Sequence, residues 1–163
     1  MKDIDKQFAE NALQLLGADS IKTEELHEMA LASGIGRARH LLHKSHNDQP
    51  QTMLIYLQNG SKVGLHRHPV GKTEIYIVLE GILEVEYLVE GEHSHMRTLA
   101  PWGNKEGFKS ISIHRDGVWH EPKAATSYTL YLEIYSGPFD KEVDVEYKLD
   151  QLIKKDKFPI SSI

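Results

Sequence analysis

The period of apolar and polar positions changes near residue 50. In DKQFAENALQLL (5–16), Phe8, Ala9, Ala12, Leu13 and Leu16 recur at helical spacing, and Gly17 can end that helix. A second helix fits TEELHEMALAS (23–33). Thr23 is a candidate N-cap, and Glu24 and Glu25 suit the positive end of the helix dipole. Leu26, Met29 and Ala30 give this helix an apolar face, and Gly34 stops it. Beyond residue 50 the chain reads as short alternating segments: QTMLIYLQ, SKVGLHRH, TEIYIVLEG, ILEVEYLV, HSHMRTLA, KSISIH, VWHEPKA and SYTLYLEIYSG. Turn pairs separate many of them, among them Asn59-Gly60, Glu80-Gly81, Glu90-Gly91, Asp116-Gly117 and Gly137-Pro138. Strands that follow one another without intervening helices predict a β-sandwich or barrel, not a parallel sheet.

The expectation is a mainly β, single-domain protein. A helical N-terminal arm would occupy 1–46, a barrel 47–143, and a tail with a short helix 144–163. The 163 residues suffice for one real core. A net charge of −5 does not suggest nucleic acid or an anionic membrane as a partner. With no cysteine, disulfides, thiolate metal sites and a cysteine nucleophile are excluded. The N-terminus has no apolar signal-peptide region and no stretch is long and apolar enough to span a bilayer, so a cytoplasmic location is expected.

Chemistry concentrates in GSKVGLHRHPVGKTEIYIVLEG (60–81). Residues two apart on a strand share a side, so His66 and His68 face together while Arg67 faces away. Glu74 follows a turn containing Pro69 and Gly71 and can bring a carboxylate to the same point. His120, past the Asp116-Gly117 turn, is the natural fourth ligand. Three imidazoles and a carboxylate suit one divalent transition metal such as Fe, Zn, Ni or Mn. The other histidines read differently. His93 and His95 sit on a solvated hairpin end, His114 is structural or exposed, and His27, His40 and His46 face solvent. Arg37, Arg39 and His43 form either a surface basic run or an anion clamp over the barrel mouth. Tyr76 shares the side of Glu74, as core packing or as a proton donor. Glu133 interrupts an apolar strand and, facing inward, would need a metal, an arginine or a proton.

These residues resemble the cupin superfamily. Its first motif, G-x5-H-x-H-x3-4-E-x6-G, matches Gly60, His66, His68, Glu74 and Gly81 in type and order, with one extra residue before Glu74. Its second, G-x5-P-x-G-x2-H-x3-N, is met by Gly117 and His120, while Arg115 and Ala124 stand at its proline and asparagine positions. More narrowly, the chain resembles the WbuC-type cupin metalloproteins found among bacterial surface-polysaccharide genes. That likeness rests on GRARHLLH (36–43), Gln51, the HRHP segment, Gly117 with Trp119 and His120, and Glu133 followed by GPFD (137–140).

The resemblance implies a jelly-roll barrel with a divalent metal inside and gives Glu133 an interior role, either in supporting the metal ligands or as an acid/base. Cupins often dimerise through their sheets, and exposed strand edges give a physical reason, so a homodimer is expected. Two functions follow as expectations. One is a metal-dependent enzyme on a small polar, anionic or sugar-derived ligand, isomerase- or epimerase-like, or an oxygenase if the metal is iron. The other is a non-catalytic pocket that binds or senses such a molecule.

Overall fold

Alternation along the chain resolves into two five-stranded antiparallel sheets in a computed structural model, which describes residues 22–61, 63–88 and 94–148. The helix read over 5–16, the Glu90-Gly91 turn, His93 and the tail after Lys148 lie outside the described residues. The order is α1 (Thr23–Ala32), β1 (Arg37–Leu41), β2 (Gln51–Gln58), β3 (His66–Arg67), β4 (Glu74–Glu80) and β5 (Leu83–Leu88). Then come β6 (His95–Leu99), β7 (Ile111–His114), β8 (Trp119–Ala124), β9 (Tyr128–Tyr135), α2 (Lys141–Asp144) and β10 (Glu146–Tyr147). One sheet runs β1-β2-β9-β4-β7 and the other β10-β3-β8-β5-β6.

From β2 onward the chain changes sheet at almost every connection, the topology of a jelly roll. The expected barrel does not close. Hydrogen bonding joins strands within each sheet, and the connecting turns bridge the two, so the architecture is a sandwich. The Asp116-Gly117 turn is one bridge. Both residues take positive φ, 56° and 71°, which suits a glycine and is tolerated by aspartate.

The inner faces hold the core: Met53, Ile55 and Leu57 of β2, Tyr76 and Val78 of β4, Leu83 and Val85 of β5, with Leu99, Ala124 and Tyr131. Each large apolar side chain buried there contributes roughly 1.5–3 kcal/mol. A second cluster lies on the outer side of the first sheet, where Leu26 and Ala30 of α1 pack on Ala38, Leu54, Tyr56 and Leu130.

Details of α1 differ from the sequence reading. Thr23 is its first helical residue, and the N-cap is Lys22, which makes no side-chain cap bond. Met29 is 51% exposed, because the sheet meets a narrow stripe formed by Leu26 and Ala30. His27 is not simply solvated, since its Nδ1 lies 2.9 Å from the Tyr56 hydroxyl. The basic run after α1 is an edge strand. β1 pairs with β2 so that Arg37 opposes Leu57 and Arg39 opposes Ile55, both inward-facing residues. The two arginines therefore point between the sheets, and Ala38 packs outward under α1.

Candidate metal centre

Four side chains from four chain segments converge between the sheets. His66 and His120 are direct cross-strand neighbours on β3 and β8. His68 follows β3, and Glu74 opens β4 in the opposite sheet. One ligand atom from each lies within 4.8 Å of all the others. Donors on opposite sides of an ion at about 2.1 Å sit about 4.2 Å apart, so only small shifts close the site.

Backbone carbonyls set the tautomer of all three imidazoles. Nδ1 of His66 donates to Gly64 O at 2.9 Å, that of His68 to Asp144 O at 2.7 Å, and that of His120 to Val118 O at 2.9 Å. Each ring thereby turns Nε2 to the common point, the arrangement that metal-ligating histidines use. Nε2 of His68 is buried and turned to the cluster, 3.2 Å from Glu74 Oε1. This donor set fits a divalent transition metal.

Burial and mutual contact shift the titration of these groups in different directions. Burial and the neighbouring His120 push the His66 imidazole down to about 3, so it is neutral at ordinary pH. Burial alone would raise the Glu74 carboxyl, but the imidazoles of His114, His120 and His68 packed against its oxygens hold it well below the usual carboxylate range. Burial pulls His68 down, yet bonding and charge from Glu74 outweigh it and raise that imidazole.

Two further groups support the cluster: His114, for which the sequence offers a structural or an exposed role, and Lys72, which it does not single out. His114 is buried and stacks on His120 with ring centres 4.3 Å apart. Its Nδ1 reaches Glu74 Oε2 at 3.2 Å, and its Nε2 meets Tyr87 Oη at 2.9 Å and Ser112 Oγ at 3.1 Å. Period two in KSISIH was the available signal, for it sets Ser112 and His114 on the side opposite Ile111 and Ile113.

The second group is Lys72, inside the turn between His68 and Glu74. Its Nζ donates to Pro138 O at 2.6 Å and Ser136 O at 3.2 Å, and it lies 3.4 Å from the buried Asp144 carboxylate. Asp144 is the residue whose carbonyl orients His68. One cation thus ties the loop bearing two ligands to the segment that aims one of them. Lys72→Met is expected to weaken metal affinity about 10–100-fold, the usual effect of losing an outer-shell partner. Competition titration with a chromogenic chelator measures it, and Lys72→Arg should recover part of the loss.

The cluster forms the floor of a cavity of about 310 Å³, at the low end for small-molecule sites. Tyr76, Tyr131 and Glu133 wall it, and Arg37, Arg39 and His43 stand among its lining. All the candidate site residues singled out in the sequence except His120 line this one space, and His120 bonds Glu74 beneath it at 2.8 Å. Glu133 opposes Tyr76 on β4 and Met53 on β2. Burial first, and then the charge of Glu74, push its carboxyl up to about 8, against the pull of Arg39 and Arg37. Burial likewise raises Tyr76 well above the usual phenol range, with Glu74 adding to the effect, so it keeps its proton. His95 is exposed on β6 and plays no part in the cavity. His46, though exposed, contributes to the lining beside Phe139.

Residues 18–98, just under half of the chain, match the family described as Domain of unknown function (DUF6016). No curated protein matches the chain. Several solved structures share its fold. Protein SO0799 from Shewanella oneidensis is 15% identical with a TM-score of 0.62, over 86% of this chain and 90% of that one. The capsular polysaccharide assembling protein CapF from Staphylococcus aureus is 15% identical with a TM-score of 0.56, over 69% of this chain and 32% of CapF. A recombinant oxalate oxidase in complex with glycolate is 16% identical with a TM-score of 0.51, over 69% and 55%. At such identities the likeness is one of fold, and the fold is that of the cupins: a two-sheet jelly roll, here with three histidines and a glutamate gathered between its sheets.

Proposed function

We propose that the chain is a metal-dependent enzyme that relocates a proton on a small anionic, sugar-derived substrate, an isomerase or epimerase in type. The observation that carries this reading is Glu133. A carboxyl raised to about 8 shares one small cavity with a ready-made set of four ligands. A pure binding pocket has no need of a proton carrier there. The bound metal would supply Lewis acidity, polarising a substrate carbonyl or hydroxyl. Glu133 would take and return the proton, while Tyr76, which keeps its own, would donate a hydrogen bond to a substrate oxygen. Arg37, Arg39 and His43 would fork the anionic group, since guanidinium matches carboxylate and phosphate edge to edge. A WbuC-type place in bacterial surface-polysaccharide metabolism belongs to the same reading. It is supported by the ordered sequence resemblance, and the fold relative CapF is named for capsular polysaccharide assembly.

The test is hydrogen exchange in D₂O. Protein loaded in turn with zinc, manganese or nickel is incubated with a panel of sugar phosphates and hydroxy acids, and products are read by mass spectrometry. Deuterium should enter a carbon-bound position of one substrate, and Glu133→Gln should slow that about 100-fold or more. Ligands that bind, by calorimetry, without exchange or conversion would sink the enzyme reading and leave a binding module. Oxygen uptake by the iron form alone would replace the isomerase with an oxygenase.

A further inference from the structure

The inward face of the first sheet sets a scale for whatever occupies the cavity. Register arranges its inward residues in rows across the strands. Gln51, Tyr135 and Glu74 form one row, and Leu41, Met53, Glu133 and Tyr76 the next. Arg39, Ile55, Tyr131 and Val78 follow, and then Arg37 and Leu57 with Thr129. The metal cluster meets this grid at one corner, through Glu74, and the two arginines stand at the opposite one. Glu133 and Tyr131 lie between these poles on β9. Arg37 is half-buried and Arg39 exposed, so their pole lies toward the mouth of the cavity.

Crossing from β1 over β2 and β9 to β4 takes about 14 Å, and stepping from the row of Arg39 to that of Glu74 about 13 Å, so their Cα atoms stand on the order of 20 Å apart. Side chains reaching in from both ends leave a gap on the order of 10 Å between the guanidinium groups and the ligand atoms of the cluster. Met53, Tyr131 and Val63 line the space between, apolar and aromatic surface suited to a carbon chain. Charge follows the same axis. Glu133 feels Glu74 from one end and Arg39 and Arg37 from the other. Arg67 meets a carboxylate at 2.8 Å and Lys72 one at 3.4 Å, whereas among the described residues Arg37 and Arg39 form no ion pair. Two neighbouring cations without a counter-ion match one phosphate dianion, and a carboxylate would offset only one of them.

We propose that the cavity selects its ligand by length: a hydroxy acid or sugar chain of about four to six carbons, its reactive end at the metal cluster beside Glu133 and a terminal phosphate forked by Arg37 and Arg39.

Binding tests this without turnover. The full-length chain loaded with zinc is titrated by calorimetry with phosphoglycolate, 3-phosphoglycerate, 4-phosphoerythronate and 6-phosphogluconate, each beside its acid without the phosphate. The phosphate should improve Kd about tenfold or more for the four- and six-carbon acids, and far less for glycolate. Arg37→Gln/Arg39→Gln should remove that gain and each single variant part of it, with zinc content unchanged by elemental analysis. The length series in the parent needs no variant. A gain as large for phosphoglycolate, or one that survives the double change, would overturn the proposal, as would no binding of the longer acids. The proposal rests on the cavity being a metal-dependent active site, yet the two fail separately. Length selection without hydrogen exchange in D₂O would remove the enzyme and keep the selection. Exchange on a two-carbon acid would keep the enzyme and overturn the selection.

Discussion

Protein purified without a histidine tag is expected to carry about one divalent metal per chain, and the His66→Ala/His120→Ala variant none, by elemental analysis. The two histidines oppose each other across β3 and β8, so the double change removes half of the donor set from one side of the cluster. His68 and Glu74 remain, and one imidazole with one carboxylate is too few for a stable site. The metal should also be visible as stability. Binding to the folded form alone contributes about 4 kcal/mol at a thousand-fold excess over Kd, so a chelator should lower the melting temperature of the parent and leave the variant unmoved. The element recovered then sorts the chemistry. Iron leads to oxygen-uptake assays, and zinc, nickel or manganese to proton-exchange assays. A parent that takes up no metal, even after refolding with each candidate ion, would remove the metal centre. Its imidazoles would then be hydrogen-bonding groups in a pocket of another kind.

The convergence of His66, His68, Glu74 and His120 was legible because two local rules agree on it. Period two places His66 with His68, and turn residues on either side return Glu74 and His120 to the same neighbourhood. β1 was not legible as a strand. Its inward positions carry Arg37, Arg39 and Leu41 rather than a clean apolar alternation, because they face a polar cavity instead of the core. Whether two sheets close into a barrel is equally hidden, since alternation is identical in a sandwich and a barrel. The hold of Asp144 on His68 is invisible for another reason: it runs through a backbone carbonyl, which every residue possesses. Lys72 and His114 fall between these cases. Their residue types are suggestive, but only the fold brings them to Pro138 and Glu74.

Removing the proposed proton carrier should stabilise the metal-free protein, and increasingly so as pH rises. In the unfolded chain Glu133 titrates near the ordinary 4.5, and in the folded protein near 8. Between these values the folded state holds a proton that the unfolded state has released, so stability falls with rising pH. The penalty is absent below about pH 4.5, grows through neutrality and is complete above about pH 8. A tenfold change in proton affinity corresponds to about 1.4 kcal/mol, but Glu133 lines a cavity open to water, so the realised cost is nearer 2 kcal/mol than the whole displacement implies. Glu133→Gln keeps the shape and drops the charge. Urea unfolding in EDTA should give the variant and the parent nearly equal midpoints at about pH 4, with the variant ahead by about 2 kcal/mol at about pH 8.5. With metal present the gap should narrow, because a cation beside Glu74 offsets the repulsion that helps to raise Glu133. Parallel curves at all pH values would mean that Glu133 is already ionised and solvated in the folded protein. The proton carrier would then have to be sought elsewhere in the cavity. A gap that opens with pH would instead mark Glu133 as a group whose cost to folding is retained for chemistry, where an apolar side chain would serve the core better.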